Sequence, residues 1–238
     1  MKLIGIDSSG MTASVAILED DLMVAEYSVN YKKTHSQTLL PMLDEIVKMT
    51  ETDINTVDAI AIAKGPGSFT GLRIGSATAK GLGLALDIPI VEVLTTDALA
   101  YNLYGTDRVI CPLMDARRDQ VYTGLYEFEK NADIYTLRTL LPATALSIEE
   151  ILEKVNKTGR NTVFLGDGVP VFIDKIKELT KVDHIFAPAG KNRQSAGSVA
   201  ALGAEKYKAG EYISSDDHVP EYLRLSQAER ELKEKESR

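Results

Sequence analysis

Residues 61–83 read AIAKGPGSFTGLRIGSATAKGLG, and the reading of this stretch decides how the rest of the chain is organised. A strand-like run, AIAIAK at 59–64, meets the turn Gly65-Pro66-Gly67. Ser68 follows as a candidate N-cap, because its hydroxyl can accept from the free N–H groups of a first helical turn. Gly71, Gly75, Ala79 and Gly83 then recur every four positions, which on a helix places them on one face. Each interior glycine costs about 1 kcal/mol relative to alanine, so three weaken an isolated helix by about 3 kcal/mol. A face kept this smooth at that cost needs something packed close to it: a sheet, a ligand, or another protein's helix.

Toward the N-terminus, residues 2–6 read as a buried strand, Asp7-Ser8-Ser9-Gly10 as a turn, and 13–18 and 22–29 as further strands of a meander. Residues 37–49 read as a helix with Leu39, Leu40, Leu43, Ile46 and Val47 on one face and Pro41 near its start. A strand at 57–63, the small-faced helix at 68–86, a strand at 88–93 and a short helix at 96–104 complete the order βββαβαβα. From Arg108 the pattern restarts. Strands are expected at 109–114, 120–128 and 134–140, then an amphipathic helix at 148–155 opened by Ser147, with Glu149 and Glu150 at its positive end. A strand at 162–165, the turn Gly166-Asp167-Gly168, a helix at 171–179 and an Ala/Gly-rich helix at 195–207 follow. Two successive βββαβα units predict an α/β chain of two actin-like domains, of the ASKHA and ribonuclease H-like architecture, facing across a cleft. The expected domains are 1–105 and 106–218, with a segment 219–238 whose end, QAERELKEKESR, reads as a solvated helix end.

Composition narrows the function. The chain has 238 residues, 44% of them apolar, with no apolar run near the ~20 residues of a membrane span. The opening MKLIGIDSSG is too short in its apolar part for a signal peptide. One cysteine, Cys111, leaves no internal disulfide and no Cys-based metal cluster, and the expected setting is a reducing cytoplasm. The net charge of −8 argues against independent nucleic-acid binding, though not against sharing such a substrate with a basic partner.

Three polar turns can carry chemistry. In Asp7-Ser8-Ser9-Gly10-Met11-Thr12, hydroxyls and backbone amides can cradle a phosphate, and Asp7 can hold Mg²⁺ through water; Asp7, Ser8, Ser9 and Thr12 are the candidate nucleotide contacts, and an ordinary turn is the competing reading. Gly166-Asp167-Gly168 is a second turn with the same two readings. In Asp115-Ala116-Arg117-Arg118-Asp119, Arg117 and Arg118 can clamp a phosphate or carboxylate, or pair locally with Asp115 and Asp119. His35, His184 and His218 have no local metal-binding spacing, and neither a nucleophile elbow nor a Walker loop is present.

The motifs GIDSS, HSQTLLPML at 35–43, KGPGSFTGLRIG at 64–75, MDARRDQVY at 114–122 and PEYLR at 220–224 resemble, in order and spacing, those of the TsaB (YeaZ) family over essentially the whole chain. The resemblance implies a bacterial subunit needed to make threonylcarbamoyladenosine beside the anticodon of ANN-decoding tRNAs. It implies a fold related to the catalytic subunit TsaD, which carries a His-x-x-x-His metal segment. The corresponding positions in this chain are Thr95 and Leu99, which cannot ligate as imidazole does, so neither a metal site, a glycoprotease activity nor independent transferase activity is expected. The implied partners are TsaD, through the helices at 37–49 and 68–86, and then TsaE, with a homodimer through the same surface when TsaD is absent. Leu39, Leu43, Ile46, Gly71, Leu72, Ile74, Gly75 and Ala79 are the interface candidates, some of which must be core, and a bulky residue at Gly75 is expected to split the complex without unfolding the monomer. On this reading the chain requires no cofactor, with ATP a weak candidate, and meets tRNA only through the complex and no membrane. The alternatives are a small-molecule kinase using Asp7, Ser8, Ser9, Thr12 and Asp115 or Asp167, and a zinc peptidase.

Overall fold

A computed structural model describes residues 1–31 and 34–224; the charged run 227–238 lies outside the described residues. The first half builds β1 (Lys2–Asp7), β2 (Ala13–Glu19), β3 (Leu22–Val29), α1 (His35–Met49), β4 (Ala59–Gly65), α2 (Phe69–Leu86), β5 (Ile90–Leu94) and α3 (Thr95–Tyr101). The second builds β6 (Val109–Asp115), β7 (Gln120–Asn131), β8 (Ile134–Ser147), α4 (Ile148–Thr158), β9 (Thr162–Leu165), α5 (Val169–Leu179), β10 (His184–Phe186) and α6 (Ala196–Lys208). Each half gives one five-stranded sheet, ordered β3-β2-β1-β4-β5 and β8-β7-β6-β9-β10. The orders are the same: an antiparallel meander of three strands, then two strands added in parallel. This is the two-domain actin-like fold.

Alternation in β4 explains how the first sheet is covered. Ile60 and Ile62 point with Ile4 and Ile6 into a core closed by Leu39, Met42, Leu43 and Ile46 of α1 and Ala79 of α2. Ala59, Ala61 and Ala63 point the other way, into a core with Val91, Val93, Val199, Ala200 and Ala204. The last three belong to α6, a helix from the second half of the sequence. Its close approach depends on small residues on both sides: a Cβ at Gly203 would collide with Ala61 Cβ, and one at Gly5 with Ala196 O. Conversely Leu99 and Ala100 of α3 pack with Ile110, Met114 and Tyr126 of the second half. The two halves thus exchange a helix.

The caps agree with the sequence. Ser68 accepts from Gly71 N–H at the start of α2, and Ser147 with Glu150 forms a capping box at the start of α4. The structure extends β8 to Ser147 rather than ending it at residue 140, and adds β10, which the pattern had not shown. β8 is an edge strand, so Pro142, lacking an N–H, is tolerated within it. Among the described residues, no helix is long and apolar enough to cross a membrane.

Candidate functional site

The turn between β1 and β2 is enclosed by protein. Asp7, Ser8, Ser9 and Thr12 are all buried. Ser9 donates to Asp7 Oδ1 from its N–H at 2.9 Å and from its hydroxyl at 2.6 Å, and Ser8 Oγ donates to Gly71 O at 2.8 Å. The start of α2 closes over the turn: Ser68 N–H donates to Ser9 O at 2.7 Å, and Cβ atoms at Gly67 or Gly71 would collide with Ser9 O or Ser8 O. His35 Nε2 lies 2.8 Å from Gly10 O. From the other side the Gln194 amide lies against Gly10, leaving no room for a Cβ there. Burial pushes the Asp7 carboxyl up to about 6, against its bonds from Ser9, and the charges of Asp167 and Glu26 add to the rise.

Asp167 is an acid of the second half whose charge acts on Asp7. Its carboxyl is also raised, mainly by burial, and its Oδ1 accepts the Asp115 N–H at 3.3 Å. Asp7 and Asp167 are therefore close enough for their charges to act on each other, and Asp115 lies beside Asp167. Arg117 and Arg118 are both exposed to solvent. Arg117 pairs locally, donating to Asp115 from its N–H at 2.8 Å and from Nη1 at 2.9 Å. Arg117, Arg118 and Asp119 all take positive φ (64°, 56° and 57°), and all three are exposed.

The helix residues separate into two faces. Leu39, Leu43, Ile46, Gly71, Leu72, Gly75 and Ala79 are buried within this chain, and Ile74 is partly exposed. The small stripe of α2 packs inward. A Cβ at Gly75 would collide with Ser8 Oγ, and one at Gly83 would lie 2.8 Å from Ser215 Cβ. The outward stripe consists of Thr70, Arg73, Ala77, Gly81 and Leu84; on α1, Leu40 and Met49 are exposed on opposite sides of the helix. Gly81 faces open space. Thr95 and Leu99 are fully enclosed in the core. Among the described residues, no three His, Cys, Asp or Glu side chains are grouped to hold a metal.

The PEYLR motif at 220–224 has a structural part that its sequence alone does not announce. Residues 213–224 form a strap joining the two halves. Ile213 exchanges backbone hydrogen bonds with Ile90 at 2.9 Å each, and Glu221 N–H donates to Lys64 O at 2.8 Å. Lys64 pairs with Glu221 at 3.1 Å and Glu92 at 3.3 Å; Glu92 is also 2.7 Å from Nδ1 of buried His218, which holds its carboxyl below the usual range. Tyr222 stacks on Phe69 at 4.3 Å and accepts from Arg73 Nε at 3.2 Å, while Arg224 donates to Ala116 O at 2.5 Å. The strap thus fuses motifs from both halves. A motif of aromatic and charged residues near the chain's end was the signal available for it.

Comparison with known proteins adds a family. Residues 24–232 match the model for TsaD, tRNA N6-adenosine threonylcarbamoyltransferase. The chain is 35% identical over 231 residues to the tRNA threonylcarbamoyladenosine biosynthesis protein TsaB of Bacillus subtilis, covering 96% of each chain. It is 27% identical over 242 residues to the TsaB protein of Escherichia coli, covering 99% of this chain and 100% of that one. Among solved structures, YeaZ from Pseudomonas aeruginosa superposes with a TM-score of 0.79 at 26% identity, over 93% of this chain and 99% of that one.

Proposed function

Because this chain belongs to the TsaB family and so has its role in tRNA threonylcarbamoyladenosine biosynthesis, we propose that it acts there as a non-catalytic subunit that binds and activates a TsaD-class transferase. The observation that carries the reading is the outer face of α2. On α2, Leu84 is 57% exposed and shares a face with the small residues Ala77 and Gly81, which are also exposed. Apolar side chains around a low ridge suit a facing helix pair, and an interface of ordinary size buries about 1,200–2,000 Å². The same face serves a homodimer when the transferase is absent, and TsaE joins the assembled pair. The family match to the TsaD model supports a pairing of two related folds.

The cleft favours a rigid subunit over a kinase. Kinases of two-lobed form work by closing around substrate. Here the lobes exchange α3 and α6, and the strap binds both Lys64 and Ala116. Nor does a triphosphate suit the β1–β2 turn. Gln194 occupies the space at Gly10, the acids Asp7 and Asp167 act on each other there, and Arg117, exposed, pairs with Asp115. No transfer step is assigned to this chain.

Reconstitution tests the proposal. The TsaD homologue of the same cell is supplied with threonylcarbamoyl-adenylate, tRNA and TsaE, with and without this chain. The modified nucleoside is expected only when both subunits are present. Product from this chain without the transferase, or equal product without this chain, would overturn it.

A further inference from the structure

The β1–β2 turn contains a concentration of buried polar atoms that the partner role does not use. Asp7, Thr12 and Gln194 are 1%, 2% and 3% exposed. Asp7 Oδ2, Thr12 Oγ1 and both polar atoms of the Gln194 amide have no hydrogen-bond partner in the protein. Asp7 and Thr12 stand at the two ends of the turn, and the Gln194 amide lies on Gly10 between them. Buried polar groups are ordinarily satisfied, so a group of them around one turn marks a place where something else binds.

We propose that this turn holds one monovalent metal cation, potassium or sodium, through Asp7 Oδ2, Thr12 Oγ1 and the side-chain oxygen of Gln194. The donors are all oxygens, which select a hard ion over a soft one. They carry a single formal negative charge, matched by a single positive one. Among the described residues no three His, Cys, Asp or Glu side chains are grouped to hold a metal, so the several carboxylates common at calcium sites are not provided.

The surrounding charges exclude an anion and call for a cation. The two charged groups that act on Asp7 are Asp167 and Glu26, both acids. Glu26 Oε1 is occupied by neutral donors: Ser14 Oγ at 3.2 Å, Ser195 Oγ at 2.7 Å and Gly197 N–H at 3.2 Å. Arg193, next to Gln194 in the chain, donates to Gly166 O at 3.2 Å and Asn192 O at 2.9 Å. His35 places Nε2 2.8 Å from Gly10 O, and its Nδ1 is buried without a hydrogen-bond partner. A bound cation would tie β1 and β2 of the first half to the segment before α6, adding a further link between the halves. The inference does not depend on the partner reading.

The test is scanning calorimetry of the full chain at pH 7.5 and constant ionic strength. The salts are tetramethylammonium, potassium, sodium and magnesium chloride. Potassium or sodium is expected to raise the melting temperature by about 3 °C over tetramethylammonium, the larger rise naming the ion. Asp7→Asn and Thr12→Val should each abolish the rise; if Asp7→Asn does not fold, Thr12→Val decides alone. Equal melting temperatures in all four salts, a rise with magnesium only, or a rise that survives Thr12→Val would overturn the proposal.

Discussion

α2 and α6 are both built on glycine and alanine, yet they use these residues differently. α6 lays Ala196, Ala200, Gly203 and Ala204 onto the alanine side of the first sheet and is a structural cross-brace between the halves. α2 turns Gly71, Gly75 and Gly83 inward onto Ser8 and Ser215, but keeps Ala77 and Gly81 facing out. Small residues at helical spacing therefore announce a close approach without saying to what. In α6 that approach is all internal. In α2 one small face holds the fold together and the opposite one is available to a partner.

Substitutions can break this comparison at chosen points. Gly203→Leu should have the largest effect, because even its Cβ has no room against Ala61; overpacking of this kind costs about 3 kcal/mol, measured by denaturant unfolding. Gly75→Ala should destabilise by about 1–2 kcal/mol, since the collision with Ser8 Oγ outweighs the gain in helix propensity. The brace that α2 receives from the strap should be smaller. Tyr222→Ala removes the stack on Phe69, worth about 1 kcal/mol, and should loosen hydrogen-exchange protection at the start of α2 before that of α6. Gly81→Ala sharpens the contrast by reversing its sign: in open space on the same helix it should stabilise the isolated chain, by up to about 1 kcal/mol.

Much of this architecture was legible because periodicity reports burial. The alternation in AIAIAK and the i, i+4 spacing after Ser68 fixed β4 and α2 to within two residues. Other features were hidden for physical reasons. His184–Phe186 is too short to show a period, and Pro142 reads as a strand end unless the strand is known to lie at an edge. Nothing local to α6 says which sheet it covers; its complement is the alanine face of β4, far away in sequence. Likewise the turn at Asp7–Thr12 was visible as a polar turn, while the remote Gln194 that completes it carries no motif. The burial of Leu39, Leu43 and Ile46 follows from α1 having one apolar face, and that face goes to the core before any partner can claim it.

The central claim is that α2 has an inner face for the fold and an outer face for a partner. Its most direct test is the molar mass, by light scattering, of this chain co-purified with the TsaD homologue of the same cell, as wild type and as Gly81→Leu. The account predicts a one-to-one complex for the wild type, and separate species for Gly81→Leu with its fold and melting temperature retained. A Gly81→Leu chain that still forms the wild-type complex would contradict it.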